Sequence, residues 1–324
     1  MPAIKRIWTR YSGQAFVMPK LEKLFICIGA QKAGTTWLFE NLSQDPRFAR
    51  CPFVKEIHYF DYVYNNSPHI NNWRANFFLR LCQRNPEKLK PVLSAWLAGG
   101  RQAAKNNPSD QALMQKLNIL LGELDDSWYT NLLHNRKNQC CAMDITPDYA
   151  VVSAEGFAHM KAVTGQLKIL YILRDPAERA WSGLLQGKKN KPGGIDAFLA
   201  DKGGDIDFLF KQCSSGADIG ARNNYLMTLE KLASLGLTDK QQLLVKFYED
   251  IATVPEQFIT DIYAFLDMPC PPMTIFSDTL NTRIYATPKT PMAAELKARL
   301  KAHYADMINE INERFVPVPA SWLN

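Results

Sequence analysis

The stretch from Lys23 to Trp37, KLFICIGAQKAGTTW, constrains the fold more than any other part of the chain. The apolar run 23–29 stops at a glycine, which predicts a buried parallel strand rather than an alternating, half-exposed one. From Thr35 onward, Trp37, Leu38 and Leu42 follow helical spacing, and the pattern ends before Pro46. Strand, glycine turn and helix start form the context in which backbone N–H groups cradle an anion. The spacing of Gly29 and Gly34 is that of a triphosphate-binding loop, G-x-x-x-x-G-K-[ST]. The lysine, however, is displaced: Thr35 follows Gly34, and Lys32 lies two places ahead of it. Taken by itself, the segment equally describes an ordinary glycine-containing strand–helix turn.

The same alternation recurs downstream. Apolar runs at 139–145, 167–173 and 242–248 read as strands. Helical patterns at 153–164, from Pro176, at 222–235 and at 255–266 separate or follow them, and a longer one spans Pro291 to Phe315. This order predicts an α/β fold: a P-loop-like, mostly parallel sheet with helices on both faces and a ligand at the carboxyl ends of the strands. At 324 residues the chain reads as one domain with insertions. Residues 1–22 read as a basic N-terminal arm, and 62–138 as a strandless, helical insertion that caps the site. The glycine- and lysine-rich stretch 187–220 reads as mobile loops.

Two further stretches carry chemistry. In YILRDPAERAWS, Asp175, Pro176 and Glu178 form a helix start with a capping aspartate, proline at the first position and an acid at the third. Those three residues need no ligand to explain them. Arg174 does: it stands at the carboxyl end of a strand, with Ser182 two helical turns further on, a pair suited to a phosphate. Arg179 reads more simply as a pairing or packing residue. In CPFVKEIHYFD, alternation places Glu56 and His58 on one side of an extended segment, with Lys55 before them. An acid beside an imidazole can deprotonate a hydroxyl or amine, although the stretch also fits a surface charge cluster over a Tyr59–Phe60 pair.

Composition narrows the partners. A net charge of +6 favours an anionic ligand but is too small to indicate nucleic acid. The seven cysteines, without C-x-x-C pairs, read as reduced thiols in a cytoplasm. No apolar run approaches the roughly 18 residues of a membrane span, and no signal peptide is evident.

In their order along the chain, the displaced-lysine loop, the KEIHYFD stretch and the R-D-P-x-x-R-x-x-S stretch resemble the sulfotransferase family. Within it they are most similar to the heparan-sulfate and related bacterial carbohydrate enzymes. DITPDY at 144–149 and FYEDI at 247–251 add to the likeness. The resemblance implies a cytoplasmic, bacterial enzyme using 3′-phosphoadenosine 5′-phosphosulfate as donor, without a metal, and a carbohydrate or small-molecule acceptor. Gln31, Lys32, Ala33, Gly34, Thr35, Thr36 and Trp37 would wrap the 5′-phosphosulfate, with Lys32 on the bridging oxygen. Arg174 and Ser182 would clamp the 3′-phosphate. Glu56 would be the base, His58 would orient the acceptor or share the proton, and Lys55 would touch the sulfuryl group or the acceptor. Asp144 is a further acceptor-site candidate. Ile145 stands where several relatives carry lysine, and Arg283 and Lys289 are candidates for closing over the nucleotide. A nucleotide-dependent kinase and a non-catalytic nucleotide-binding protein are the alternatives.

Overall fold

A computed structural model describes residues 20–84, 86–97, 108–134, 139–189, 191–282 and 290–323. Arg283, Lys289 and most of the N-terminal arm lie outside these residues. Strand β1 spans Leu21–Gly29 and is followed by α1 at Thr35–Leu42, the edge strand β2 at Phe48–Arg50, and α2 at Tyr59–Asn65. Next come α3 (His69–Arg84), α4 (Pro86–Leu97), α5 (Pro108–Leu121) and α6 (Asp126–Leu132). Strand β3 (Cys141–Ile145) leads through a 3₁₀ turn at Pro147–Val151 into α7 (Ala154–Ala162) and β4 (Thr164–Leu173). Helices α8 (Pro176–Lys188), α9 (Gly194–Lys202), α10 (Ile206–Ser215), α11 (Ala217–Asn223) and α12 (Tyr225–Ser234) precede β5 (Leu243–Phe247). The chain continues with α13 (Tyr248–Thr253), α14 (Pro255–Phe265), α15 (Ala294–Arg314) and α16 (Ala320–Leu323).

The five strands form one sheet in the order β2-β3-β1-β4-β5, and every pairing is parallel. Leu24 through Ile28 are completely buried, as a central parallel strand requires. From β1 the chain first moves toward β2 and later returns past β1 to β4. Right-handed crossovers in opposite directions put the connecting helices on opposite faces of the sheet. Trp37 of α1 packs edge-on against Phe258 of α14, so these two helices share a face. The loop after β1 thus lies at the switch point between β3 and β4, where ligands bind in such sheets.

One expectation changes. The stretch 187–220 is not loop: α8 runs into it and α9, α10 and α11 occupy most of it. Asp205 caps α10 by accepting from the Phe208 N–H, and Leu209 and Cys213 bury one face of that helix. Gly193, Gly203 and Gly216 mark helix boundaries, Gly193 at φ +72° being one N-cap. The strand β2 carries no periodicity signal because it is three residues long. The 62–138 segment is helical in its described part, with a small core of its own made by Leu89, Val92, Met114 and Leu117. It also docks on the main core through Ile70, Trp73, Trp128 and Tyr129.

Candidate active site

The phosphate loop combines two left-handed residues, Lys32 at φ +71° and Gly34 at φ +84°. Such a backbone turns successive N–H groups to one side, an anion-binding arrangement. At Gly34 only glycine fits, because a Cβ would come within 2.5 Å of Ile251 and 3.2 Å of Tyr248. Helix α1 starts here with no side-chain cap and no acid in its first turn, so its N-terminal N–H groups and dipole face the adjoining cleft. Helix α8 is the opposite case. Asp175 caps it by accepting from Ala177 at 2.9 Å and Glu178 at 3.2 Å, with Pro176 at the first position, as its sequence predicts.

These elements enclose a cleft of about 1300 Å³. Gln31, Lys32, Gly34, Thr35, Thr36 and Trp37 line one wall; Arg174, Ser182, Gln186 and Lys189 line another; Lys55 and Glu56 close a third side. Arg174 donates to the Lys32 carbonyl at 2.9 Å and stacks its guanidinium 4.7 Å above the Tyr248 ring. Lys32 donates to Gln186 at 3.3 Å. Burial, together with Arg174, Lys189 and Lys55 nearby, lowers the Lys32 pKa. Lys55 donates to the hydroxyls of Thr35 at 3.0 Å and Thr36 at 3.2 Å and pairs with Glu56 at 2.7 Å. Lys297 pairs with Glu178 at 2.9 Å. Among the described residues no carboxylate pairs with Lys32, Arg174 or Lys189. The cleft therefore presents three cations without an anionic partner, together with an uncapped helix N-terminus.

Glu56 sits on the cleft wall with its side chain 37% exposed, 3.4 Å from His58. His58 is 7% exposed and stands behind it, away from the cleft lining. The segment before α2 is not an extended strand: His58 is left-handed at φ +62° and serves as the N-cap of α2. Alternation is therefore not what brings Glu56 and His58 together; the turn at His58 is. The His58 ring also donates to Asp61 at 2.9 Å and lies 3.8 Å from Asp148, which Arg222 engages at 2.7 Å. Atoms of His58, Asp61 and Asp148 lie within 4.8 Å of one another, and with Arg222 on Asp148 they form an ion-pair network. Burial alone would lower the His58 pKa, but the bonds and charges of Asp61 and Glu56 outweigh it and raise it to about 10. Burial would likewise raise Glu56, but His58 and Lys55 outweigh that and bring it to about 2. At neutral pH Glu56 is thus ionised beside an imidazolium.

Two named residues, Ala33 and Asp144, do not line the cleft, and Trp37 reaches it without a free polar group. Ala33 is fully buried and its N–H closes on the Ala30 carbonyl at 3.1 Å, so neither its side chain nor its N–H is available to a ligand. Trp37 reaches the wall only as a buried ring whose indole donates to Leu280 O at 2.9 Å. Asp144 is fully buried and bonded to three hydroxyls, which rules out a direct acceptor contact. Arg179 is a packing residue, as its sequence context suggests: it bonds Asn223 and donates to Ile219 O at 2.8 Å. None of the described residues of 62–138 lines the cleft. Instead the segment braces the Glu56 stretch from behind, with Trp73 donating to Ile57 O at 3.1 Å and Tyr59 to Asp126 at 2.6 Å.

Sequence reasoning missed Gln186 and Lys189. Counting forward from Ser182 by helical spacing, at four and seven residues, finds Gln186 on the same face of α8 and Lys189 at its C-cap.

Fold and site together define an α/β protein with an anion-binding loop at a sheet switch point and an ionised carboxylate facing it. A sulfotransferase-domain family model matches residues 22–303, and the chain belongs to the sulfotransferase family. No curated protein matches the chain. Among solved structures, a sulfotransferase from Alicyclobacillus acidocaldarius is similar at 18% identity and TM-score 0.53, covering 94% of this chain and 99% of that one. A sulfotransferase domain from the Synechococcus PCC 7002 olefin synthase aligns at 15% identity and TM-score 0.45, over 89% and 98% of the two chains. Another, from the curacin biosynthetic pathway, aligns at 14% identity and TM-score 0.47, over 88% and 98%.

Proposed function

We propose that the protein transfers a sulfuryl group from 3′-phosphoadenosine 5′-phosphosulfate to a hydroxyl, less readily an amine, of a carbohydrate or small metabolite. The observation that carries this reading is the shared cleft. Glu56 faces the same space as the loop, Lys32, Arg174 and Lys189, cations that no carboxylate of the described residues pairs with. A donor bearing several negative charges matches those cations and the α1 N-terminus. Arg174 and Ser182 are the groups for the 3′-phosphate; Gln31, Lys32, Gly34, Thr35 and Thr36 are those for the 5′-phosphosulfate.

In the step itself the acceptor oxygen bonds to sulfur while the bond from sulfur to the bridging oxygen breaks. The bridging oxygen leaves with the electron pair as the 5′-phosphate of adenosine 3′,5′-bisphosphate. The ammonium of Lys32 stabilises that growing charge, and the acceptor proton passes to the Glu56 carboxylate. Glu56 is a weak base, so the proton moves late, once the new S–O bond has made the acceptor oxygen strongly acidic. His58 and Lys55 keep the carboxylate ionised and aimed. The insertion 62–138 belongs, in this reading, to one domain with the sheet. All seven cysteines are free, which suits a cytoplasmic enzyme. No helix of the described residues is long and apolar enough to cross a membrane.

The test is calorimetry followed by an acceptor screen with labelled donor. Adenosine 3′,5′-bisphosphate should bind roughly tenfold or more tightly than adenosine 5′-monophosphate, since each charge-assisted contact contributes about 1.5–3 kcal/mol. Equal affinities remove the 3′-phosphate assignment, and magnesium-dependent phosphoryl transfer would replace the reading with a kinase.

A further inference from the structure

Asp144 occupies the fourth of the five positions of β3, in register with Ile26 of β1, and is completely buried. Burial pushes its carboxyl up to about 6 even though hydroxyls of Thr146, Tyr149 and Tyr129 bond to it. Thr146 donates to one carboxylate oxygen at 2.6 Å; Tyr149 at 2.9 Å and Tyr129 at 3.0 Å donate to the other. A hydroxyl that gives its proton to a carboxylate keeps its lone pairs for an incoming N–H. Thr146 uses them to accept the Ile57 N–H at 3.0 Å, and Tyr149 accepts the Tyr59 N–H at 3.0 Å. Ile57 and Tyr59 are the two chain neighbours of His58, the residue held at φ +62°. A non-glycine residue stays in that region only where its surroundings over-determine it.

We propose that Asp144 is a positioning residue for the transfer step: by orienting the hydroxyls of Thr146 and Tyr149 it grips the two N–H groups that flank His58, and so aims the His58–Glu56 pair at the cleft. The inference rests on Glu56 being the acceptor's base. The arrangement is polar in a definite sense. Each hydroxyl must donate to Asp144 and accept from the backbone, so an apolar side chain of the same shape cannot substitute for either. The loop, Arg174 and Ser182 are carried by β1, β4 and α8, and among the described residues no side-chain bond joins them to Asp144, Thr146 or the Tyr149 hydroxyl.

The experiment uses the full chain and compares Thr146→Val, Thr146→Ser and Tyr149→Phe. Labelled 3′-phosphoadenosine 5′-phosphosulfate is the donor probe, adenosine 3′,5′-bisphosphate the calorimetric ligand, and the His58 imidazole resonance reports titration. Small misplacements of reacting groups cost up to about a hundredfold, so Thr146→Val and Tyr149→Phe should each lower kcat by roughly ten- to a hundredfold. Nucleotide affinity should be unchanged, and Thr146→Ser should restore the rate. In a Glu56→Gln background Thr146→Val should cost almost nothing more, since its effect runs through Glu56. The His58 titration should fall from about 10 in Thr146→Val and recover in Thr146→Ser. Wild-type kcat in Thr146→Val, or the same fold-loss with and without Glu56, overturns the proposal. So does an unmoved His58 titration. That last readout needs no turnover: if Glu56→Gln proves fully active, the base assignment fails, while the titration still decides whether Asp144 places His58.

Discussion

Replacing Glu56 with glutamine conserves the shape of the side chain and removes its charge and basic oxygen. The wild-type carboxylate lies 2.7 Å from Lys55 and 3.4 Å from His58, which hold it at about 2 against an upward push from burial. Positioned bases contribute about 10²–10⁴-fold in rate, or about 2.7–5.4 kcal/mol of barrier. A carboxylate this acidic draws a proton with little driving force, so the loss should fall in the lower half of that range, about 10²–10³-fold. Donor affinity should stay near wild type, because Lys55 keeps its bonds to Thr35 and Thr36 at 3.0 and 3.2 Å. His58 keeps Asp61 at 2.9 Å and Asp148 at 3.8 Å but loses Glu56, one of its three carboxylate neighbours, so its pKa should drop below 10 yet remain raised. Single-turnover rates with labelled donor, calorimetry with adenosine 3′,5′-bisphosphate and a histidine titration by NMR measure the three effects. Single-turnover rates close to wild type would refute the base assignment. A fall in nucleotide affinity as large as the fall in rate would show that Glu56 organises binding instead.

The remaining predictions concern the loop and the ion cluster. Lys32→Ala should lower single-turnover rate far more than affinity for adenosine 3′,5′-bisphosphate, because charge on the leaving oxygen develops only in the transition state; loss of affinity alone would make it a binding residue. Gly34→Ala should lower the thermal midpoint and weaken nucleotide binding together. The left-handed φ of +84° costs an L-residue about 1–2 kcal/mol, and the new Cβ strikes Ile251 at 2.5 Å; an unchanged melting curve refutes it. His58 is held at about 10 in the folded chain, above its unfolded value of 6.5, so its stabilisation is complete below 6.5 and is lost as pH rises through 10. Urea midpoints should therefore fall between pH 7 and 10 in wild type and fall less in His58→Gln; equal slopes would show that the cluster does not hold the imidazolium.

Local signals in the chain determined most of the frame. A run such as LFICI can only be a buried strand when it stops at a glycine turn, and β1 comes out there, two residues longer at its start. Asp175 and Pro176 determine the α8 start because a cap and a fixed φ act within one turn. The order of Lys32, Glu56, Arg174 and Ser182 was legible for the same reason, and the cleft gathers all four. Tertiary structure decided the rest. Helices α10 and α11 form where glycine and lysine content signals coil, because Leu209, Cys213 and Asn223 find partners on other elements to bury against. Alternation put Glu56 and His58 together on a wrong premise; the turn at His58 depends on N–H acceptors 89 and 90 residues away, at Thr146 and Tyr149. Asp144 reads as a ligand contact in sequence, since nothing local reveals that three hydroxyls seal it in the sheet. Lys32 meets Gln186 across 154 residues and Arg174 meets Lys32 across 142. Periodicity and capping reach only a turn or two along the chain, whereas the charge balance that ionises Glu56 and leaves three cations for a ligand exists only after the strands have been brought side by side.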